Sequence, residues 1–233
     1  MSSKFNKVRP EYRSKFRAEL VEVPDVIRRS SGIVINGRRY KSFLFSSDVA
    51  TILYSDADAV LAVYPYSPHP TIIKALSIVT PSPLVAGVGG GVTQGPRSVM
   101  VAQFADAYGC MAVVLNSAVT PETVQNVNDA IDIPIIYTVI SRHMDISEHI
   151  KAGVNILNIS AGGQTAEVVR IFRERYPDIP IIATGGKTDE SILATVEAGA
   201  NGISWTPPTT QQVFQDNMDK YRQELREELE ELE

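Results

Sequence analysis

The sequence predicts a single (β/α)8 barrel, eight parallel strands alternating with helices and closed on themselves. Three observations carry this prediction. The chain has 233 residues, 44% of them hydrophobic, a size that suits one α/β barrel. Eight apolar runs of four to six residues recur along it, bounded by Pro or Gly on entry and by Gly, Ser, Thr or Asn on exit. Their hydrophobicity is continuous rather than alternating, which fits strands covered on both faces. Finally, the chain repeats itself. Ile133-Pro134-Ile135-Ile136 returns as Ile179-Pro180-Ile181-Ile182, and Ala152-Gly153-Val154-Asn155 as Ala198-Gly199-Ala200-Asn201. Pro180 − Pro134 and Gly199 − Gly153 are both 46, so one repeat holds two strands and two helices. An earlier, looser copy runs from Pro83-Leu84-Val85 to Gly109-Cys110-Met111. A doubly wound open sheet is the alternative.

Taken in order, residues 1–41 form an N-terminal extension and residues 42–233 the barrel. Within the extension, residues 10–41 are expected to make one or two helices and a small hairpin. Its turn is Asn36-Gly37, between Ile33-Val34-Ile35 and Arg38-Arg39-Tyr40. The hairpin would plug or cover the bottom of the barrel. The strands are Ser42–Phe45, Val60–Tyr64, Leu84–Val88, Ala112–Asn116, Ile135–Val139, Ile156–Ile159, Ile181–Thr184 and Gly202–Trp205. Helix starts lie between them. Ser47-Asp48 reads as an N-cap, and Pro68-His69-Pro70 opens a helix. Thr120-Pro121-Glu122 is an N-cap followed by proline at the first helical position, and Asp145-Ile146-Ser147-Glu148 and Thr188-Asp189-Glu190-Ser191 look similar. After Thr209-Thr210 an acidic helix runs to the C-terminus.

Composition excludes several classes. A net charge of −5 gives no reason to expect nucleic acid as a partner. The lone Cys110 cannot form an intramolecular disulfide, which points to a reducing cytoplasm, and it reads as a packed core thiol. No apolar stretch reaches the roughly 20 residues that cross a bilayer, and Met1–Lys7 lacks the apolar core of a signal peptide. Charge is unevenly placed. Residues 1–41 hold eleven Lys/Arg against four Asp/Glu, and residues 216–233 hold three against eight. The acidic end reads as a solvent-facing helix, with the basic segment or a neighbouring subunit as the pairing alternatives. A homodimer is the expectation for so compact a barrel.

Function in such a barrel belongs at the C-terminal ends of the strands. Those ends carry Ser46, Ser47 and Asp48; Tyr64 and Tyr66; Gly89-Gly90-Gly91 and Thr93; Asn116 and Ser117. Next come Thr138, Ser141, Arg142 and His143; Asn158, Ser160 and Gly162-Gly163; Gly185-Gly186-Lys187; and Thr206. The rim is rich in hydroxyls, amides and glycine and poor in carboxylates. Gly162, Gly163, Gly185 and Gly186 follow adjacent strands and each pair opens a helix, so their bare N–H groups make a candidate anion site, with Lys187 adding a charge and Thr206 a hydroxyl. The candidates for chemistry are Asp48, Arg142, His143, Asn116 and Tyr64. His143 suits proton exchange near neutral pH, Arg142 a bidentate grip on a carboxylate or phosphate, and Tyr64 donation to an oxyanion. His69 opens its helix and His149 is expected to face solvent. No HExxH, CxxC or carboxylate cluster appears, so no metal is expected, and no GxSxG elbow marks a serine hydrolase.

The stretch Ile181–Thr206, with its apolar strand, Gly-Gly, helix, Ala-Gly-Ala and strand, resembles the seventh and eighth units of the ribulose-phosphate-binding barrel group. That group includes the tryptophan synthase alpha subunit, N-acetylmannosamine-6-phosphate epimerase and the small phosphogluconate aldolases. The resemblance covers the architecture of most of the chain, but sequence detail only over residues 178–206 and more weakly 151–163. It implies a phosphate held at that end of the barrel, hence a small phosphorylated metabolite as ligand, isomerase, epimerase or lyase chemistry, and no cofactor. The chain departs from the group at Trp205-Thr206-Pro207-Pro208, where two prolines remove two N–H donors, and no strand carries a Schiff-base lysine. A looser similarity links it to bacterial barrel proteins labelled only hydrolase, which brings no residues with it. A non-catalytic phosphate-ligand-binding barrel and a flavin-mononucleotide-binding barrel are the alternative readings.

Overall fold

The computed structural model describes residues 10, 12 and 21–230. Much of the region expected to be helical before the hairpin lies outside the described residues. Within them, a 3-10 turn spans Asp25–Arg29, followed by a two-stranded hairpin of β1 (Ile33–Ile35) and β2 (Arg38–Tyr40). Its turn residues Asn36 and Gly37 have φ of 49° and 79°, the left-handed pair that a type I′ turn demands.

The barrel strands are β3 (Ser42–Phe45), β4 (Ala59–Ala62), β5 (Leu84–Gly89), β6 (Ala112–Leu115), β7 (Ile135–Val139), β8 (Ile156–Ile159), β9 (Ile181–Thr184) and β10 (Gly202–Trp205). All neighbours are parallel, and the order β10-β3-β4-β5-β6-β7-β8-β9 closes on itself. The helices are α1 (Val49–Leu53), α2 (Pro70–Val79), α3 (Pro96–Ala107), α4 (Pro121–Asn128), α5 (Ser147–Lys151), α6 (Thr165–Arg175), α7 (Asp189–Glu197) and α8 (Thr210–Glu230). The chain is thus a (β/α)8 barrel, and the open-sheet alternative falls with the closure of β10 on β3.

Alternate side chains divide into two apolar layers. Phe43, Leu61, Val85, Val114, Ile136 and Ile182 fill the barrel, and Ile33, Ile35 and Tyr40 of the hairpin join that same cluster. The hairpin therefore closes the N-terminal end with apolar surface. Leu44, Val60, Val113, Leu157 and Ile203 point outward to helix residues such as Ile73, Val101, Val124, Phe172 and Ile192.

The repeat has a physical cause. The Asn155 side-chain carbonyl accepts the N–H of Ile135 at 2.8 Å, and its repeat mate Asn201 accepts that of Ile181 at 2.9 Å. Each asparagine stands just before one strand and ties the first N–H of the strand before it. Asp58 does the same for Ser42 at 3.1 Å. Arg173 on α6 reinforces the second copy, donating to the carbonyls of Pro177, Ile179 and Gly199 and to Asn201 Oδ1.

Helix starts follow local chemistry. Asp48, His69, Thr120 and Thr188 are N-caps that accept from the first turns of α1, α2, α4 and α7. At α5 the cap position is Ile146, while the Asp145 carboxylate accepts from the Ser147 N–H and hydroxyl. His149 departs from expectation. Instead of facing solvent it packs on Tyr137, with ring centroids 4.4 Å apart, and its Nε2 meets the Val119 carbonyl at 2.9 Å. Because α5 is a single short turn lying over β7, its one aromatic ring is drawn into the apolar outer layer. Cys110 is buried, where a core thiol belongs. No helix among the described residues is long and apolar enough to cross a membrane.

Candidate functional site

The barrel interior changes character toward the C-terminal ends of its strands. Above the apolar filling, the inward positions become Thr138 on β7, Asn158 on β8 and Ser204 on β10, all buried. Asn116 follows β6 at the same end. These side chains form a ladder: the Thr138 hydroxyl donates to Asn116 Oδ1 at 2.9 Å, and Asn158 Nδ2 donates to Thr138 Oγ1 at 3.2 Å. A threonine has one hydroxyl hydrogen, so donation to Asn116 leaves Thr138 only able to accept from Asn158. The ladder therefore has a direction, and it ends on an atom without a partner. Asn158 Oδ1 is buried, in a residue 7% exposed, and accepts no hydrogen bond. An orphaned buried acceptor costs about 1–3 kcal/mol.

Asn116 also lines a cavity of about 260 Å³ with Tyr64, Tyr66 and the glycines following β5. Tyr64 Oη accepts the His69 N–H at 3.0 Å, which leaves its own O–H to donate. The glycine tract is ordered rather than loose. Gly90 and Thr93 exchange backbone hydrogen bonds of 2.9 and 3.0 Å, and β5 bulges between Gly87 and Gly89. Bulges of this kind re-aim the chain beside functional sites.

The other candidates fall into separate groups. Asp48 and Thr206 share a second cavity of about 430 Å³ with Ser46, Thr209 and Thr210. There the Asp48 carboxylate caps α1, accepting the Thr51 N–H at 2.7 Å. That bond, with help from the Thr210 hydroxyl, holds its pKa below the ordinary carboxylate value. Arg142 and His143 lie in the exposed loop after β7. Arg142 Nη1 pairs with Glu167 of α6 at 2.6 Å, and Arg142 Nε donates to His143 Nε2 at 3.3 Å. The guanidinium is thus already neutralised by a carboxylate.

The glycine pairs divide in role. The Gly185 N–H donates to the Ser204 carbonyl at 3.2 Å, and a Cβ there would stand 2.7 Å from Ile203 and 2.9 Å from Ile192. Gly185 therefore lets α7 close on the barrel. Gly186 lies in the left-handed region (φ 83°), and neither its N–H nor that of Lys187 donates to a protein group among the described residues. Gly162 and Gly163 open a 3-10 turn leading into α6, with open space where side chains would be. The start of α7 is satisfied internally by the Thr188–Ser191 capping box and carries Asp189 and Glu190. The start of α8 is closed likewise, with Thr209 and Gln212 bonded reciprocally at 2.9 and 3.2 Å. An anion at this end would rest on loop amides rather than on those two helix termini. No group of three His, Cys, Asp or Glu side chains among the described residues is placed to hold a metal.

Solved structures sharing this architecture are enzymes of several kinds. A phosphonopyruvate hydrolase complexed with oxalate and Mg++ matches 82% of this chain and 83% of its own at 13% identity, TM-score 0.61. A mandelate oxidase bound to 3,3-difluoro-2-hydroxy-3-phenylpropionic acid matches 76% and 68% at 14% identity, TM-score 0.61. An aldolase, QR15, matches 76% and 91% at 18% identity, TM-score 0.52. What they share with this chain is the barrel. No family model matches the sequence.

Asn158 belongs to the rim that the sequence predicts but is not among its candidate chemical residues. The available signal was polar residues at inward positions of neighbouring strands, Thr138 and Asn158, where the repeat-related strand carries Thr184.

Proposed function

We propose that this chain is a barrel enzyme acting on a small phosphorylated metabolite by isomerase, epimerase or lyase chemistry. One observation carries the reading: the buried, unpartnered Asn158 Oδ1 at the end of the Asn116–Thr138–Asn158 ladder. It is an acceptor made ready for a donor that the protein itself does not supply. A hydroxyl-bearing substrate supplies one. At the other end of the ladder, Asn116 and the Tyr64 hydroxyl line a cavity of about 260 Å³ and act there as donors to an oxyanion developing on that substrate. The phosphate rests on the N–H groups of Gly162, Gly163, Gly186 and Lys187, with the Lys187 ammonium alongside. His143, held beside Arg142, is the proton-transfer group. The buried, single cysteine fits a cytoplasmic setting.

A thermal-shift screen pairing phosphorylated sugars with their unphosphorylated parents tests the reading. A phosphorylated compound should raise Tm, its parent should do so less, and Lys187→Ala should narrow the difference. Equal shifts for both members of every pair would refute phosphate recognition.

A second reading, a non-catalytic binding barrel, is favoured by the uncharged ladder and by the tying of Asp48 and Arg142 into a cap and an ion pair. Bound ligand recovered unchanged after long incubation, with His143→Ala and Tyr64→Phe binding it as wild type does, would support it.

A further inference from the structure

Each barrel strand turns alternate side chains inward, so the layer at the mouth follows from the layer beneath it. Two residues on from the interior positions Phe43, Leu61 and Val85 come Phe45, Val63 and Gly87. Two on from Val114, Ile136, Ile156 and Ile182 come Asn116, Thr138, Asn158 and Thr184. Gly202 is the interior position of β10, since a Cβ there would meet the Phe43 ring at 2.7 Å, and Ser204 is two further on. The mouth is therefore two-sided. Strands β3 to β5 give it an apolar arc, on which Phe45 is 38% exposed. Strands β6 to β10, consecutive neighbours in the closed sheet, give it hydroxyls and amides. None of these positions is ionisable.

The polar arc has capacity to spare. Among the described residues neither the Thr184 nor the Ser204 hydroxyl bonds to a protein group. Asn116 Nδ2 donates to none, its Oδ1 being the atom that Thr138 reaches, and Asn158 Oδ1 is the orphaned acceptor. Thr184 and Ser204 are register partners on β9 and β10, and Thr184 stands two residues before Gly186.

Charge decides what this layer can hold. A carboxylate could take donors from Thr184, Ser204 and Asn116, but no free cation would offset its loss of water, because Arg142 is paired with Glu167 at 2.6 Å. It would also leave Asn158 Oδ1 orphaned. Burying an unpaired charge is costly. A hydroxyl both donates and accepts, so a chain of hydroxyls satisfies every spare group, Asn158 Oδ1 included. The C–H side of the same chain lies against Phe45 and Val63.

Resting on the phosphate reading above, we propose that the ligand is an aldose or ketose phosphate rather than a phosphorylated carboxylic acid, and that Thr184 and Ser204 help to select it. With its phosphate on the Gly186 and Lys187 amides, the ligand brings its first hydroxyls onto Thr184 and Ser204 and the next onto Asn158.

The test is calorimetric titration of the full chain with matched sets. Dihydroxyacetone phosphate is set against 3-phosphoglycerate, ribose and ribulose 5-phosphates against 5-phosphoribonate, and glucose and fructose 6-phosphates against 6-phosphogluconate, each beside its unphosphorylated parent. In the set that binds best, a sugar phosphate should bind about tenfold or more tighter than the acid. Thr184→Val and Ser204→Ala, shown to fold by circular dichroism and Tm, should each weaken it about two- to tenfold. If a variant fails to fold, the wild-type comparison of sugar with acid decides alone. An acid that binds as well as its sugar overturns the assignment, as do folded variants that bind like wild type and a panel in which nothing binds. Unphosphorylated sugars that bind as tightly as their phosphates, and more tightly than their acids, would remove the phosphate reading and leave the selection of sugar over acid standing.

Discussion

Replacing Asn158 by leucine should raise stability while abolishing ligand binding. In the unliganded protein the Asn158 amide makes one bond, Nδ2 to Thr138 Oγ1 at 3.2 Å, and leaves Oδ1 buried without a donor. The bond is worth about 0.5–1.5 kcal/mol, and the orphan costs about 1–3 kcal/mol. Leucine is close in size, and Thr138 keeps its donation to Asn116, so the substitution strands no new polar group. The net is about 1 kcal/mol in favour of Asn158→Leu, which for a chain of this length is a rise in Tm of about 2–4 °C. A ligand at a hundredfold excess over its Kd adds about 2.7 kcal/mol to wild type, and that gain should vanish in the variant. Calorimetry with and without ligand reads both effects. A variant destabilised by more than about 1 kcal/mol that keeps the ligand-induced shift would refute the reasoning, because Oδ1 would then be satisfied already and would not meet the ligand.

Other expectations concern the frame. Arg173→Met removes the donors that join α6 to the Pro177, Ile179 and Gly199 carbonyls and to Asn201. It should cost about 3–5 kcal/mol, measurable by urea denaturation, with Arg173→Lys recovering only part; a loss below about 1 kcal/mol would contradict this. Asp48→Ala should cost about 1 kcal/mol at neutral pH through the lost cap. The Thr51 amide lowers the folded pKa of Asp48, so the unfolded chain takes up its proton first. The cap's contribution is therefore whole above about pH 4 and disappears as pH falls through the lower folded value. The stability gap between wild type and Asp48→Ala should close on acidification, and a gap that widens would reverse the assignment. Burial, then the charge of Asp106, pushes the Cys110 thiol up to about 12. A thiol reagent should label it only as the protein unfolds, and stoichiometric labelling of the native protein would disprove that.

Much of the barrel was legible because its punctuation is chemical. The strands at Ser42–Phe45, Ile135–Val139, Ile156–Ile159, Ile181–Thr184 and Gly202–Trp205 match expectation residue for residue. Most are preceded by Pro, Gly or Asn, residues whose local preferences do not depend on the fold. The repeat was visible for the same reason, since Asn155 and Asn201 each hold the N–H of a neighbouring strand. The site was less legible. Thr138 and Asn158 look like ordinary polar residues in apolar runs until closure of the sheet stacks them. The Gly185-Gly186 pair showed in the sequence, but the division of labour between packing and an open amide depends on where Ile192 and Ile203 lie. His149 followed its tertiary surroundings, not its polarity. The solvent-facing character of α8 was readable from its acidic composition, and among the described residues the helix buries no side chain.

On the proposed reading, the barrel mouth holds a small phosphate-bearing ligand over the ladder. The most direct measurement is electron density from crystals soaked in the phosphorylated compound that raises Tm most. Phosphate density is expected at the amides of Gly162, Gly163, Gly186 and Lys187, with a ligand hydroxyl within hydrogen-bond distance of Asn158 Oδ1. Well-ordered ligand bound elsewhere, with Asn158 Oδ1 still unpartnered, would contradict it.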